Sequence, residues 1–210
     1  MTGHIFKLAA LVGAIMVMAS GVARAEEVAP PPSSATRSPE LVPASFKVPT
    51  RSTGPGFKLV PLGPDLAMID HAAYMSSIPH LQATFTRSTN WPHPGISAAE
   101  AMADMKAEQA RFIARESFAY AVLTPDGKRE RGCVYVSPSP VPGYDAVVRM
   151  WVTQAEYDAG FDARLQSWVM EWVRQDWPFR NVAYPGRTIP WATWDTKIAA
   201  TKAKSTVTTQ

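Results

Sequence analysis

Between Phe118 and Arg187 the sequence sets out an order of elements that few folds can accommodate. Two runs rich in aromatic and β-branched residues, Phe118–Leu123 and 132–136, flank Pro125-Asp126-Gly127, a hairpin signal because Asp and Gly accept the backbone angles a tight turn needs. A third run, 145–152, leads into a segment where Phe161, Leu165, Trp168, Val169, Trp172 and Val173 recur at i, i+4, i+7, i+8, i+11 and i+12. That spacing puts all six on one face of a long helix, 161–175, which ends before Pro178. Residues 181–184 are short, apolar and followed by Pro185-Gly186, which predicts a last strand. Strand, hairpin, strand, helix, strand is the order of an α/β unit rather than of a bundle or a sandwich. The crossover from the third of these strands into the long helix is where α/β folds usually hold a phosphate-bearing ligand.

Upstream, Phe57-Lys58-Leu59-Val60-Pro61-Leu62 alternates as a first strand does. Asp65 is placed to cap a short helix on which Leu66, Ile69 and Ala73 share a face. Ser97-Ala98-Ala99-Glu100 is a capping box opening a second helix that runs to about Arg115, with Met102, Met105, Ala110, Phe112 and Ile113 along one side. Thr153-Gln154-Ala155-Glu156 is another such box, set where the strand 145–152 stops.

The ends read differently. Lys7, the apolar run 8–18 and Ala23-Arg24-Ala25 have the form of a signal peptide, 1–25, with cleavage leaving Glu26 first and the protein periplasmic or secreted. The run is short for a membrane span, so no stable span is expected after cleavage. Residues 26–56 are rich in Pro, Ser, Thr and Ala and predict a solvated linker. The folded domain is then expected at 57–190, with 191–210 as a flexible tail.

The formal charge of +3 includes Lys7 and Arg24, and no basic stripe suited to nucleic acid is present. The single cysteine, Cys133, lies in an apolar run and is expected in the core. His71, His80 and His93 have neither the spacing of a zinc motif nor a cysteine beside them, so no metal centre is expected. His71 beside Asp70 reads as a surface pair, and Ser76-Ser77 lacks the context of a serine hydrolase. Trp168 and Trp172 belong to the helix stripe and are expected in the core. Arg149 shares a strand face with Trp151 and is the candidate anion partner in an otherwise apolar run.

Taken together over about 57–187, the order β-α-α-β-β-β-α-β resembles the GNAT acyltransferase superfamily. Trp91-Pro92, Phe118-Ala119-Tyr120, Gly132-Cys133-Val134-Tyr135, Trp177-Pro178-Phe179 and Tyr184-Pro185-Gly186-Arg187 resemble motifs of a group of bacterial GNAT-like proteins of unassigned substrate. The resemblance implies an α/β (α+β) fold: a mixed, mainly antiparallel sheet with helices on both faces and a V-shaped notch where strand 145–152 splays from strand 180–184. It also implies a truncated C-terminal part, without the tyrosine that family members often carry there. In the superfamily a Gln/Arg-x-x-Gly-x-Gly/Ala loop holds the pyrophosphate of acetyl-CoA on backbone N–H groups, and glycine lets the backbone approach the phosphates. Aligned on Val152 and Leu165, that loop here is Tyr157-Asp158-Ala159-Gly160-Phe161-Asp162, with Gly160 retained and Asp162 at the second glycine. Each of Asp158 and Asp162 would repel a pyrophosphate by about 1 kcal/mol if exposed. Gly160 is therefore either a remnant of a phosphate loop or a left-handed cap before a helix capped by Asp162.

Two functions stay open on this resemblance. One is acetyl-CoA-dependent transfer to an unknown primary amine. Backbone groups at Met150, Trp151 and Val152 would orient the thioester, amides at Gly160, Phe161 and Asp162 would meet the pyrophosphate, and Glu156 or Tyr184 would serve as base. The other is an exported, non-catalytic GNAT-like domain that holds a small molecule or peptide in the notch near Arg149, Trp151 and Tyr184.

Overall fold

The Pro125-Asp126-Gly127 turn closes as its residues require. Gly127 takes φ 76°, and Asp126 Oδ1 accepts from the Thr124 hydroxyl at 2.5 Å and from Lys128 N at 3.1 Å. On either side of it β3 (Phe118–Leu123) and β4 (Glu130–Ser137) pair antiparallel. The computed structural model describes residues 40–208. In it this hairpin is the centre of a six-stranded sheet with β1 (Ser52–Gly54) and β2 (Phe57–Pro61) on one side and β5 (Ala146–Val152) and β6 (Val182–Ala183) on the other. Every pair is antiparallel except β5 with β6, which is parallel. The sheet is mixed and mainly antiparallel, as expected.

Alternation along the strands assigns the two faces. Phe118, Tyr120, Val122, Val134, Val136, Val148, Met150 and Val152 form one core with α5 (Phe161–Asp176), whose Phe161, Leu165, Val169, Trp172 and Val173 are its buried stripe. Ala119, Ala121, Leu123, Cys133 and Trp151 face the other way, against α1 (Ala67–Met75), α2 (Ile78–Leu81) and α3 (Ala98–Ile113). The alanines on β3 leave room for the helices on that side. Both faces of the sheet are therefore covered, which explains why its central strands are continuous apolar runs. Gly132 is needed for close strand approach, since a Cβ there would stand 2.0 Å from the Trp151 carbonyl oxygen of β5.

The hairpin carries one irregularity. Val122 faces Gly132 but Leu123 faces Glu130, so Arg131 is an extra residue on β4. The bulge turns Glu130 onto the Cys133 face, where the two side chains are in contact. Arg131 goes to the opposite face, 3.5 Å from the centre of the Phe161 ring.

Several expectations need correction. Residues 40–56 are not a solvated linker. Val42 is buried in the α5-side core with Leu41, Phe46 and Val48 packed against it. Arg115 donates to the carbonyls of Pro43 and Phe46 at 2.6 and 3.1 Å, and the Tyr120 hydroxyl donates to Pro49 O at 2.8 Å. A proline-rich stretch shows no hydrophobic period, yet an extended segment can bury its few apolar side chains and satisfy its carbonyls from outside. The segment expected as a flexible tail forms α6 (Trp191–Thr208). Trp191, Trp194 and Ile198, at i, i+3 and i+7, pack with Val147 and Ala183, a stripe masked by the Lys, Ala and Thr around it. Asp65 lies within a 3-10 turn, Pro64–Leu66, and caps nothing. Ile113 on α3 is exposed rather than inward. The Ser97–Glu100 box closes fully. Thr153 does accept from Glu156 N, but it opens a separate short helix, α4 (Gln154–Asp158), and the Glu156 side chain goes elsewhere. The signal peptide 1–25, and 26–39 of the linker, lie outside the described residues.

Candidate functional site: the notch between β5 and β6

Pairing between β5 and β6 is limited to Ala146 with Val182 and Val147 with Ala183. Past that point the strands part, and a cavity of about 260 Å³ opens beside residues 150–152 of β5. Its lining includes Met150, Trp151, Val152, Arg149 and Asp162 among the residues expected at the site. It also includes His80 from α2, Phe85 from the following π-helical turn (Gln82–Thr86), Tyr157 from α4, and Arg187 and Trp191 beyond β6.

Arg149 occupies one wall. Its guanidinium stacks 4.3 Å from the Phe85 ring centre and 5.7 Å from that of Trp191, and it donates to the Phe85 carbonyl. Its Nε is buried with no acceptor. No carboxylate pairs with it among the described residues. Burial lowers its affinity for the proton, and nearby Arg87 adds to this. A half-buried cation held by π faces and one carbonyl is poised to accept an anion.

The opposite wall is the start of α5. Gly160 precedes it with φ 69°, its N–H donating to Tyr157 O at 2.8 Å. Of the two alternatives for this glycine, the geometry is that of a left-handed cap. Asp162 follows in the first turn, where the helix dipole favours negative charge, and is held by both terminal nitrogens of Arg187, one of them at 2.7 Å. A carboxylate and its own counter-ion thus stand beside the first turn of α5. The Asp162 side chain caps no N–H of the helix.

The other expected residues are not brought to the cavity. Phe161 is buried in the α5-side core, edge-on to Phe57 at 5.4 Å. Tyr184 is likewise in that core, and burial pushes its hydroxyl up to about 12. Glu156 is buried and accepts from Arg129 at 2.7 Å and Arg131 at 2.5 Å. Burial alone would raise its carboxyl, but the bonds and charges of Arg131 and Arg129 outweigh that and hold it below the usual range. A carboxylate tied to two guanidinia is a weak base, so Glu156 is structural. Sequence reasoning passed over His80, whose ring lies 4.9 Å from that of Tyr157. Burial lowers its imidazole, against the charges of Asp162 and Asp158, and keeps it neutral at pH 7. Nothing in the motif around His80 points to the notch, because α2 and β5 meet only in the fold.

His71 and Asp70 are not a surface pair either. The His71 ring nitrogen meets Ile96 O at 3.1 Å, while Asp70 is buried toward Cys133.

No family model matches the chain, and no curated protein matches it. Among solved structures it is similar to a ribosomal-protein-S5-alanine acetyltransferase from Vibrio fischeri, with 12% identity, 59% of this chain, 66% of that one and a TM-score of 0.45. It is also similar to RimL, a ribosomal L7/L12 α-N-protein acetyltransferase in complex with coenzyme A, with 13% identity, 60% of this chain, 69% of that one and a TM-score of 0.46. The chain spans about two thirds of the length of these proteins. A parallel β6 that leaves β5 after two residue pairs, at the edge of a mixed and mainly antiparallel sheet, is the arrangement that the GNAT resemblance implied.

Proposed function

We propose that this GNAT-like domain is a binding module for a small anionic ligand of amino-acid size, seated in the β5/β6 notch with Arg149 as its counter-ion. The observation that carries this is the unpaired Arg149 guanidinium in a cavity of about 260 Å³, below the range usual for drug-sized ligands. Phe85 and Trp191 would flank the ligand and His80 would supply a neutral hydrogen-bonding ring. Export on the signal-peptide pattern belongs to the same proposal, since acetyl-CoA is an intracellular metabolite and a binding module needs none.

A second proposal is acetyl-CoA-dependent N-acyl transfer, favoured by the splayed strands beside residues 150–152. In that case His80 rather than Glu156 or Tyr184 has the neutral form and the position of a base. The Asp162–Arg187 pair would have to open to admit a pyrophosphate. Calorimetric titration of acetyl-CoA separates the two. The binding module predicts no heat at millimolar acetyl-CoA, while free amino acids and N-acetylamino acids include a ligand whose binding Arg149→Ala abolishes. Micromolar acetyl-CoA binding that survives Arg149→Ala would overturn it in favour of transfer.

A further inference from the structure

On the sheet face away from α5, behind the notch wall, three ligating side chains meet in the core. Asp70 of α1 and Glu130 and Cys133 of β4 are 3, 2 and 0% exposed, and one ligand atom from each lies within 4.8 Å of the others. The Cys133 thiol is 2.8 Å from Glu130 Oε1 and 3.5 Å from Asp70 Oδ1. Two carboxylates buried side by side need either a cation or a shared proton, because an unpaired buried charge is costly, and here burial pushes both carboxyls up, Asp70 to about 6. Among the described residues no Lys, Arg or His pairs with Asp70 or Glu130. The basic groups nearby are otherwise engaged: His71 with Ile96 O, Arg111 with Glu108 at 2.6 Å.

Two further observations point to a missing partner. Glu130 Oε2 is buried without a hydrogen bond. So is the hydroxyl of Tyr74, a residue 2% exposed that lines a cavity of about 250 Å³ together with Asp70. Asp104, Glu108 and Arg111 line the same cavity, and with Glu108 paired to Arg111 it is Asp104 that puts an acidic group on the approach to Asp70.

We infer that Asp70, Glu130 and Cys133 form a site for one divalent transition-metal ion, with zinc as the best match. A thiolate disfavours magnesium and calcium, and two carboxylate oxygens disfavour copper(I), leaving the borderline-soft ions. Tetrahedral zinc with sulfur and oxygen ligands sets neighbouring S and O atoms about 3.5 Å apart. The Asp70–Cys133 spacing already has that value, and the Glu130 carboxylate has to draw back by about 0.7 Å. The cavity beside Asp70 and Tyr74 leaves space for a water as fourth ligand. Binding displaces the Cys133 thiol proton and the proton that the two carboxyls share, and both leave to solvent.

The test uses the full chain, stripped with EDTA and titrated with cobalt(II) as a spectroscopic stand-in. One equivalent should give a thiolate-to-cobalt charge-transfer band in the near ultraviolet, which zinc then bleaches by displacement. Cys133→Ser should lose the band while still binding, and Glu130→Gln and Asp70→Asn should each weaken zinc binding tenfold or more. Zinc should also raise the Tm of the wild type, so that a variant too unstable to titrate does not leave the question open. Absence of both the band and the Tm rise in the folded wild type, or a band that persists in Cys133→Ser, overturns the site.

Discussion

Gly160 shows how one residue can be read two ways until its backbone is seen. As a phosphate-loop remnant it needs only the absence of a Cβ, whereas as a cap it needs a positive φ. Its φ is 69°, and the nearest atom to where a Cβ would stand is Arg164 Nη1, 3.9 Å away. The constraint is therefore backbone conformation rather than space. Gly160→Ala should destabilise the fold by about 1 kcal/mol. Thermal melts check this, and an unchanged Tm would return the residue to the phosphate-loop reading. Asp162 makes the same point by charge. Where the resemblance would put a second glycine it reads as a defect for holding pyrophosphate, yet in the structure it is a first-turn carboxylate tied to Arg187.

At the scale of elements, the join between the β3–β4 hairpin and α4 rests on Glu156. Its side chain is 7% exposed, as against 13% for Arg131 and 58% for Arg129, so the Arg131 bond carries most of the interaction. Arg131→Ala would leave a buried carboxylate with one solvated partner, costing about 3 kcal/mol. The folded-state carboxyl is held below its ordinary 4.5. A depressed acid contributes stability that is present above the unfolded value and lost as pH falls through the folded one. Urea midpoints of wild type and Glu156→Gln should differ most above pH 4.5 and converge as the pH falls below it. A gap that stays constant across this window would show that Glu156 acts through packing alone.

For the molecule as a whole, α6 packs on the paired ends of β5 and β6 beside the notch. Trp194 buries against Val147 and Ala183, and Asp195 pairs with Arg87 at 2.9 Å while Arg87 stacks 4.2 Å from the Trp191 ring. Truncation after Pro190 should cost at least the roughly 2 kcal/mol of one buried tryptophan. It should also remove the Trp191 wall of the notch, lowering ligand affinity as well as Tm. Circular dichroism melts of the two proteins check the first effect. A truncated chain as stable as the full one would mean that α6 is not part of the domain.

The strands from β2 onward, the hairpin turn, the long helix and the burial of Cys133 were legible in the sequence, because each depends on a local period or on turn residues a few positions apart, whereas β1 lay hidden in the expected linker. The stripe of Phe161, Leu165, Val169, Trp172 and Val173 states its own helix and its own buried face. The notch, too, was expected, as what the GNAT resemblance implied. What sits around it was not. His80, Phe85 and Trp191 reach it from segments far apart in the chain, and only packing brings them to Arg149. The Asp70–Glu130–Cys133 cluster was hidden for a sharper reason. Glu130 and Cys133 are three apart, which on a regular strand puts them on opposite faces. The bulge at Arg131 reverses that parity, and a bulge is decided by how β4 registers against β3 and β5, not by the residues of β4 alone.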